Sequence, residues 1–178
     1  MSTPPPVDDV TLLARRYRLE LDMPTVPGTA VWTLVPGVSE FAPKIEPTAQ
    51  ELNLYDGEGY PEQVVTMLKW SIETTVAHRA NPTTLKFSSA QEALRKASMS
   101  FGAASYVRVR WFDRTGLPDA YEGRAIVQWE PDGGDAAEVD TVKITLTGSG
   151  PLTAITNPVA TPGLLSVEGK TAAKAGDS

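Results

Sequence analysis

The amino-acid sequence predicts a mainly β protein of antiparallel strands with one short helix, and three observations carry that expectation. The first is alternation. Between Ser105 and Leu152, Val107, Val109 and Trp111 alternate with Arg108, Arg110 and Phe112, and Ile126 to Trp129 alternates similarly. Val142, Ile144 and Leu146 alternate with Lys143, Thr145 and Thr147. A period of two is what a half-buried antiparallel strand requires, because successive side chains point to opposite faces. The second is that only one segment, Ala90 to Phe101, repeats its apolar residues at helical spacing. The third is the turn chemistry between segments, at Asp113 to Asp119 and at Pro131 to Asp135.

Taken in order, residues 1–9 begin Met-Ser-Thr-Pro-Pro-Pro and read as a flexible N-terminal segment ahead of a domain spanning 10–150. Leu12 to Leu21 reads as a first strand, with Tyr17, Leu19 and Leu21 on one face and Arg16, Arg18 and Glu20 on the other. Ala30 to Leu34 reads as a short second strand. Patterning then stops, and residues 36–62, rich in Pro and Gly, read as a long loop. Its charges are lopsided: Glu40, Glu46, Glu51, Asp56, Glu58 and Glu62 stand against Lys44 alone, a net of -5 out of -6 for the whole chain.

Structureless loops of that length are uncommon inside compact domains. This one carries apolar anchors, Phe41, Ile45, Leu54, Tyr55 and Tyr60. Two readings fit: a solvated insertion, or an arm that docks on another subunit, its carboxylates steering it toward a basic surface.

Gln63 to His78 reads as a long strand that turns at Asn81-Pro82. Ser89-Ala-Gln-Glu92 has capping-box spacing and opens the helix, which Gly102 is placed to stop. After the three strands already described, Leu152 to Leu165 reads as an extended arm that orders on a partner. Ser166 to Ser178 reads as a disordered tail, so that 151–178 together lie outside the domain.

Composition narrows the function. The chain of 178 residues has no cysteine, which removes disulfides, thiolate metal sites and a cysteine nucleophile. No apolar run reaches membrane-spanning length and the start lacks a signal-peptide pattern, so synthesis in the cytoplasm is the expectation. Net negative charge argues against general affinity for DNA or anionic lipid. His78 is the only histidine, with no nucleophile-elbow sequence to serve and no second ligand to share a metal. Gly148-Ser-Gly150 runs into Pro151 rather than opening a helix, so it is not a phosphate loop. The expectation is therefore a protein with no catalytic residues, no cofactor and no metal.

The arginines Arg16, Arg18, Arg108 and Arg110 lie on predicted strands. They are either solvated faces that protect edges from aggregation or partners for the acidic loop of a neighbouring copy, a role that suits the guanidinium fork.

Several segments, in order, resemble one known family. They are Leu12-Leu-Ala-Arg-Arg-Tyr-Arg-Leu-Glu20, Tyr55-Asp-Gly-Glu-Gly-Tyr60, Val107-Arg-Val-Arg-Trp-Phe-Asp-Arg114, Ala120-Tyr-Glu-Gly-Arg124 and Thr145-Leu-Thr-Gly-Ser-Gly-Pro-Leu152. Together they are similar to major tail tube proteins of long-tailed, non-contractile bacteriophages, especially those of actinobacterial hosts, over roughly residues 10 to 160.

The resemblance implies a β-sandwich or barrel with a flanking helix, the phage tail tube fold. It implies six-membered rings whose sheets join into an inner barrel, stacked into a conduit for the genome in the virion. Partners would be further copies of the chain and other tail proteins such as tape measure and terminator, with DNA passing unbound. Loop 36–62 then becomes the contact between rings, and Glu73 and Glu122 become candidates for a lumen that repels DNA. Alternatives are the tube of a contractile injection or secretion system and a monomeric immunoglobulin-like binding module.

Overall fold

The computed structural model describes residues 12–52 and 62–159. In chain order its elements are β1 (Tyr17–Asp22), β2 (Trp32–Leu34), β3 (Val38–Leu52), β4 (Glu62–Ala77), β5 (Ala80–Asn81), β6 (Lys86–Phe87), α1 (Ser89–Ser98), β7 (Tyr106–Asp113), β8 (Ala120–Pro131), β9 (Thr141–Gly148) and β10 (Thr153–Ala154). Short 3-10 turns precede β1 and β7. The mainly β, antiparallel expectation with one flanking helix holds.

One sheet runs in the order β2-β1-β7-β8-β9-β4-β3, with β10 attached to β8, and β5-β6 forms a separate hairpin. The long strand β8 turns this sheet into two layers. Its first half, Ala120 to Ile126, pairs with β7, and its second half, Ala125 to Pro131, pairs with β9. The register carries one apolar face across the five central strands: Leu19 opposite Trp111, Leu21 opposite Val109, Val127 opposite Leu146, and Leu146 opposite Ile72. Folding the sheet on itself buries that face, and Ala90, Leu94 and Ala97 of α1 cover it. Trp70 and Trp111 meet at 5.7 Å between ring centres although β8 and β9 separate their strands, and Tyr17 reaches Phe41 of the far edge at 5.2 Å.

Residues 36–62 are not a long loop. Fifteen of them form β3, paired with β4 from Val38 to Leu52; 53–61 lie outside the described residues. Pro43 and Pro47 broke the strand pattern in the sequence, yet β3 is an edge strand, where a missing N–H leaves no ladder bond unmade.

The helix differs in its ends. Ser88, not Ser89, stands at the N-cap and its side chain makes no capping bond, while Glu92 turns to Arg95 one turn on. The hydroxyls of Ser98 and Ser100 bond the Arg95 and Lys96 carbonyls, closing the last turn before Gly102 and leaving Phe101 92% exposed. The first part of the expected C-terminal arm packs on its own fold rather than waiting for a partner: β10 pairs with β8, and Asn157 is buried.

Candidate functional site

Among the described residues there is no cluster of three or more potential metal-ligating side chains. The features that stand out are surfaces.

The first is a projecting ribbon. β9 supports β4 only from Ser71 to Ala77, whereas β3 follows β4 to the Leu52–Glu62 pair. Trp70, 5% exposed, is the last core residue of β4; Leu68 next to it on the same face is 70% exposed. Val64 and Val65, and Met67 and Leu68, are consecutive pairs that point to opposite faces, and all four are exposed, as are Ile45 and Leu52. A two-stranded ribbon is marginally stable alone, and apolar residues on both its faces mark an interaction surface. Of the sequence-predicted contact residues, Ile45 is on this ribbon. Phe41 is half-buried against Tyr17 and belongs to the subunit's own packing. Leu54, Tyr55 and Tyr60 lie outside the described residues.

The second is the outer face of the β8-β9-β4-β3 layer. Its rows run Gln128, Thr145, Glu73, Ala42 and Glu130, Lys143, Thr75, Glu40 across the four strands. Glu73 receives a hydrogen bond from Lys44 Nζ at 2.8 Å, which together with the lysine charge holds its carboxyl below the usual range. Glu122 lies on the first half of β8 and is held by Arg108.

All four arginine candidates have carboxylate partners within the chain. Arg16 reaches Asp113 at 2.8 Å and Asp119 at 2.7 Å, and Arg18 reaches Glu20 at 2.9 Å. Arg110 also takes Glu20, at 2.6 Å, while Arg108 spans Glu122 and Asp22. Trp32 lies beneath the guanidinium groups of both Arg108 and Arg110. The Asp113 hydrogen bond, then that of Asp119, keeps Arg16 above its ordinary pKa against the effect of burial. These pairs brace strands β1, β7 and β8.

The third surface was missed by sequence reading. At the far end of β4, the β5-β6 hairpin and Pro36 border a shallow groove of about 600 Å3 lined by Arg79, Asn81, Lys86, Phe87 and Ser88. Gln91, fully buried, fixes its floor: its amide donates to the carbonyls of Pro36 and Ala77 and accepts from the Arg79 N–H. His78 stacks on Phe87 with ring centres 4.5 Å apart and bonds Asp140 at 2.9 Å. In the sequence Gln91 is one polar residue on a helix, and nothing there links it to Pro36.

No family profile and no curated protein matches the chain. Solved structures do. A chain in the virion of a native gene transfer agent particle superposes with a TM-score of 0.58 at 11% identity, over 80% of this chain and 98% of that one. A chain in the tail of the empty particle, refined with C6 symmetry, gives 0.60 at 10%, over 82% and 99%. The SPP1 tail tube gives 0.60 at 12% identity, over 84% and 82%. The fold is the one those chains share.

Proposed function

We propose that the chain is a tail tube subunit: a virion structural protein, not an enzyme, that self-assembles into stacked six-membered rings through which a genome is delivered. The observation that carries the reading is the ribbon of β3 and β4, apolar on both faces and unsupported by its own subunit. A monomeric immunoglobulin-like module has no use for it. Likeness of fold to a phage tail tube and to a C6 tail supports the same conclusion. The free edges of the four-stranded layer, β3 on one side and Val127 to Pro131 of β8 on the other, are where neighbouring copies join into one barrel.

The motif order shared with tubes of non-contractile phages of actinobacterial hosts supports that narrower assignment. The host cytoplasm is then the place of synthesis, and tape measure and terminator proteins are the tail partners. The likeness to a contractile injection system's sheath-tube complex, TM-score 0.50 at 9% identity, supports a contractile system's tube as the second reading.

The experiment is removal of the ribbon. A chain in which residues 46–67 are replaced by a short Gly-Ser turn is expected to keep a cooperative unfolding transition but to form no tubes by negative-stain electron microscopy, where the intact chain does. Normal tubes from the shortened chain refute the reading.

A further inference from the structure

The two ends of β4 carry opposite chemistry. At its start, Glu51 and Glu62 are exposed beside Leu52, Val64 and Val65. Beyond its other end, the groove of the β5-β6 hairpin is lined by Arg79 and Lys86 and by no carboxylate. Both cations are exposed, and neither makes an ion pair among the described residues. The acidic turn 132–140 at the same end lines a separate depression; His78 holds Asp140 and the Thr141 hydroxyl holds Asp132.

Leu85, at the hairpin tip, is 87% exposed and has a φ of 52°. It is the one described non-glycine residue with positive φ. Backbone of that kind under a bulky apolar side chain is unfavourable, and such positions gather at functional surfaces.

We infer that this groove is the axial docking site for the ribbon end of a second copy. Arg79 and Lys86 receive Glu51 and Glu62, while Phe87 and Leu85 cover Leu52, Val64 and Val65, so charge and apolar surface are matched together. The 16 residues of β4, at about 3.3 Å each, set the two surfaces roughly 50 Å apart along one strand. A contact between unlike patches closes into a ring when the rotation between copies allows it and otherwise runs on as an open stack; with the patches at opposite ends of one strand, successive copies follow one another along it. The inference rests on the tube reading and adds to it the surface that receives the ribbon.

Charge exchange in the full chain tests it. Arg79→Glu with Lys86→Glu, and separately Glu51→Lys with Glu62→Lys, are each expected to leave the urea midpoint near wild type and to cut sedimentable stacks at least tenfold. The four substitutions together are expected to restore stacking. Because the chain has no cysteine, Glu62→Cys with Lys86→Cys in one chain should give a ladder of disulfide-linked multimers, and either alone nothing beyond a dimer. Unchanged stacks in both reversal variants, an unrescued fourfold variant, or no ladder would overturn the groove assignment while leaving the tube reading standing. Loss of rings instead of stacks would assign the groove to lateral contacts and overturn axial docking. Wild-type protein that forms neither rings nor stacks would overturn the tube reading and the groove with it.

Discussion

The indole of Trp70 lies against the Cα of Gly148, so closely that a β-carbon added there would enter the ring's van der Waals surface; Gly123 of β8 meets the same ring from the next strand. The Trp70 Nε1–H donates to the Gly150 carbonyl at 3.1 Å, which fixes the ring. This is the point where the ribbon leaves the core, and two strands keep glycine there so that one large side chain can seal it.

Gly148→Ala is therefore expected to lower stability by about 1–3 kcal/mol through overpacking, read from urea unfolding. Trp70→Ala is expected to remove about 3–5 kcal/mol. The pair should be non-additive. Gly148 has no positive φ, so in the Trp70→Ala background an alanine at 148 has room, limits the unfolded chain, and should be neutral or stabilising. Additive losses would show that the clash is not what makes Gly148 necessary.

Asp113 supplies a pH-dependent part of stability. Burial alone would raise its pKa, but hydrogen bonds from Thr115 and from Arg16 outweigh that and hold the carboxyl below the ordinary range. A depressed folded pKa means that the stabilisation is complete above the unfolded value of about 3.9 and is lost as pH falls below it toward the folded value. The urea midpoint should thus drop from about pH 4 downward, and Asp113→Asn should flatten that limb while lowering the plateau. A limb of unchanged slope in the variant would place the acid sensitivity elsewhere.

What was readable in the sequence follows from which faces are buried. Val107, Val109 and Trp111 announce β7 because one face of that strand is core, while the other carries Arg108 and Arg110 and is buried only at Phe112. β3 was unreadable because its outer half has two exposed faces and needs no alternation, while Pro43 and Pro47 are tolerated at an edge. The partners of Arg110 and Arg16 were hidden for another reason. Glu20 is 90 residues from Arg110 and Asp113 is 97 from Arg16, so only the β1-β7 register brings them together. The groove depends on Gln91 bonding three backbone groups of two segments, Pro36 before β3 and Ala77 with Arg79 at the end of β4, and no spacing in the chain encodes that.

The two lumen candidates should behave differently on charge reversal. Glu73 is a partly exposed carboxylate whose one hydrogen-bonding partner among the described residues is Lys44 on the open edge strand. Glu73→Lys should leave the melting temperature and tube formation unchanged while slowing DNA release, because the added cations attract phosphates. Glu122 instead anchors Arg108 between β7 and β8. Glu122→Lys should lower the melting temperature, and its effect on DNA would be read through a weakened subunit. Equal release kinetics for Glu73→Lys and wild-type particles would remove Glu73 from the lumen.

Asn157 decides whether the segment after β9 stays on the domain. Its side-chain amide donates to the carbonyls of Asp113 and Leu117, and its oxygen accepts from the Val159 N–H, all with the residue only 4% exposed. It thus ties the β7-β8 turn, already braced by Arg16 and Asp113, to the segment in which Ile155 bonds the Ala120 carbonyl and β10 pairs with β8. Asn157→Ala takes the amide donor from the part-buried Leu117 carbonyl and leaves the Asp113 carbonyl with the Gly116 N–H alone, at a cost of about 1–3 kcal/mol. Asn157→Asp keeps the shape but replaces the donor by a charge facing carbonyl oxygens, and should be worse. Hydrogen exchange separates local from global loss: the Ile155 amide should lose protection in both variants while the amides of β9 keep theirs. Protection retained at Ile155 would mean that the β10 pairing, rather than Asn157, holds the segment in place.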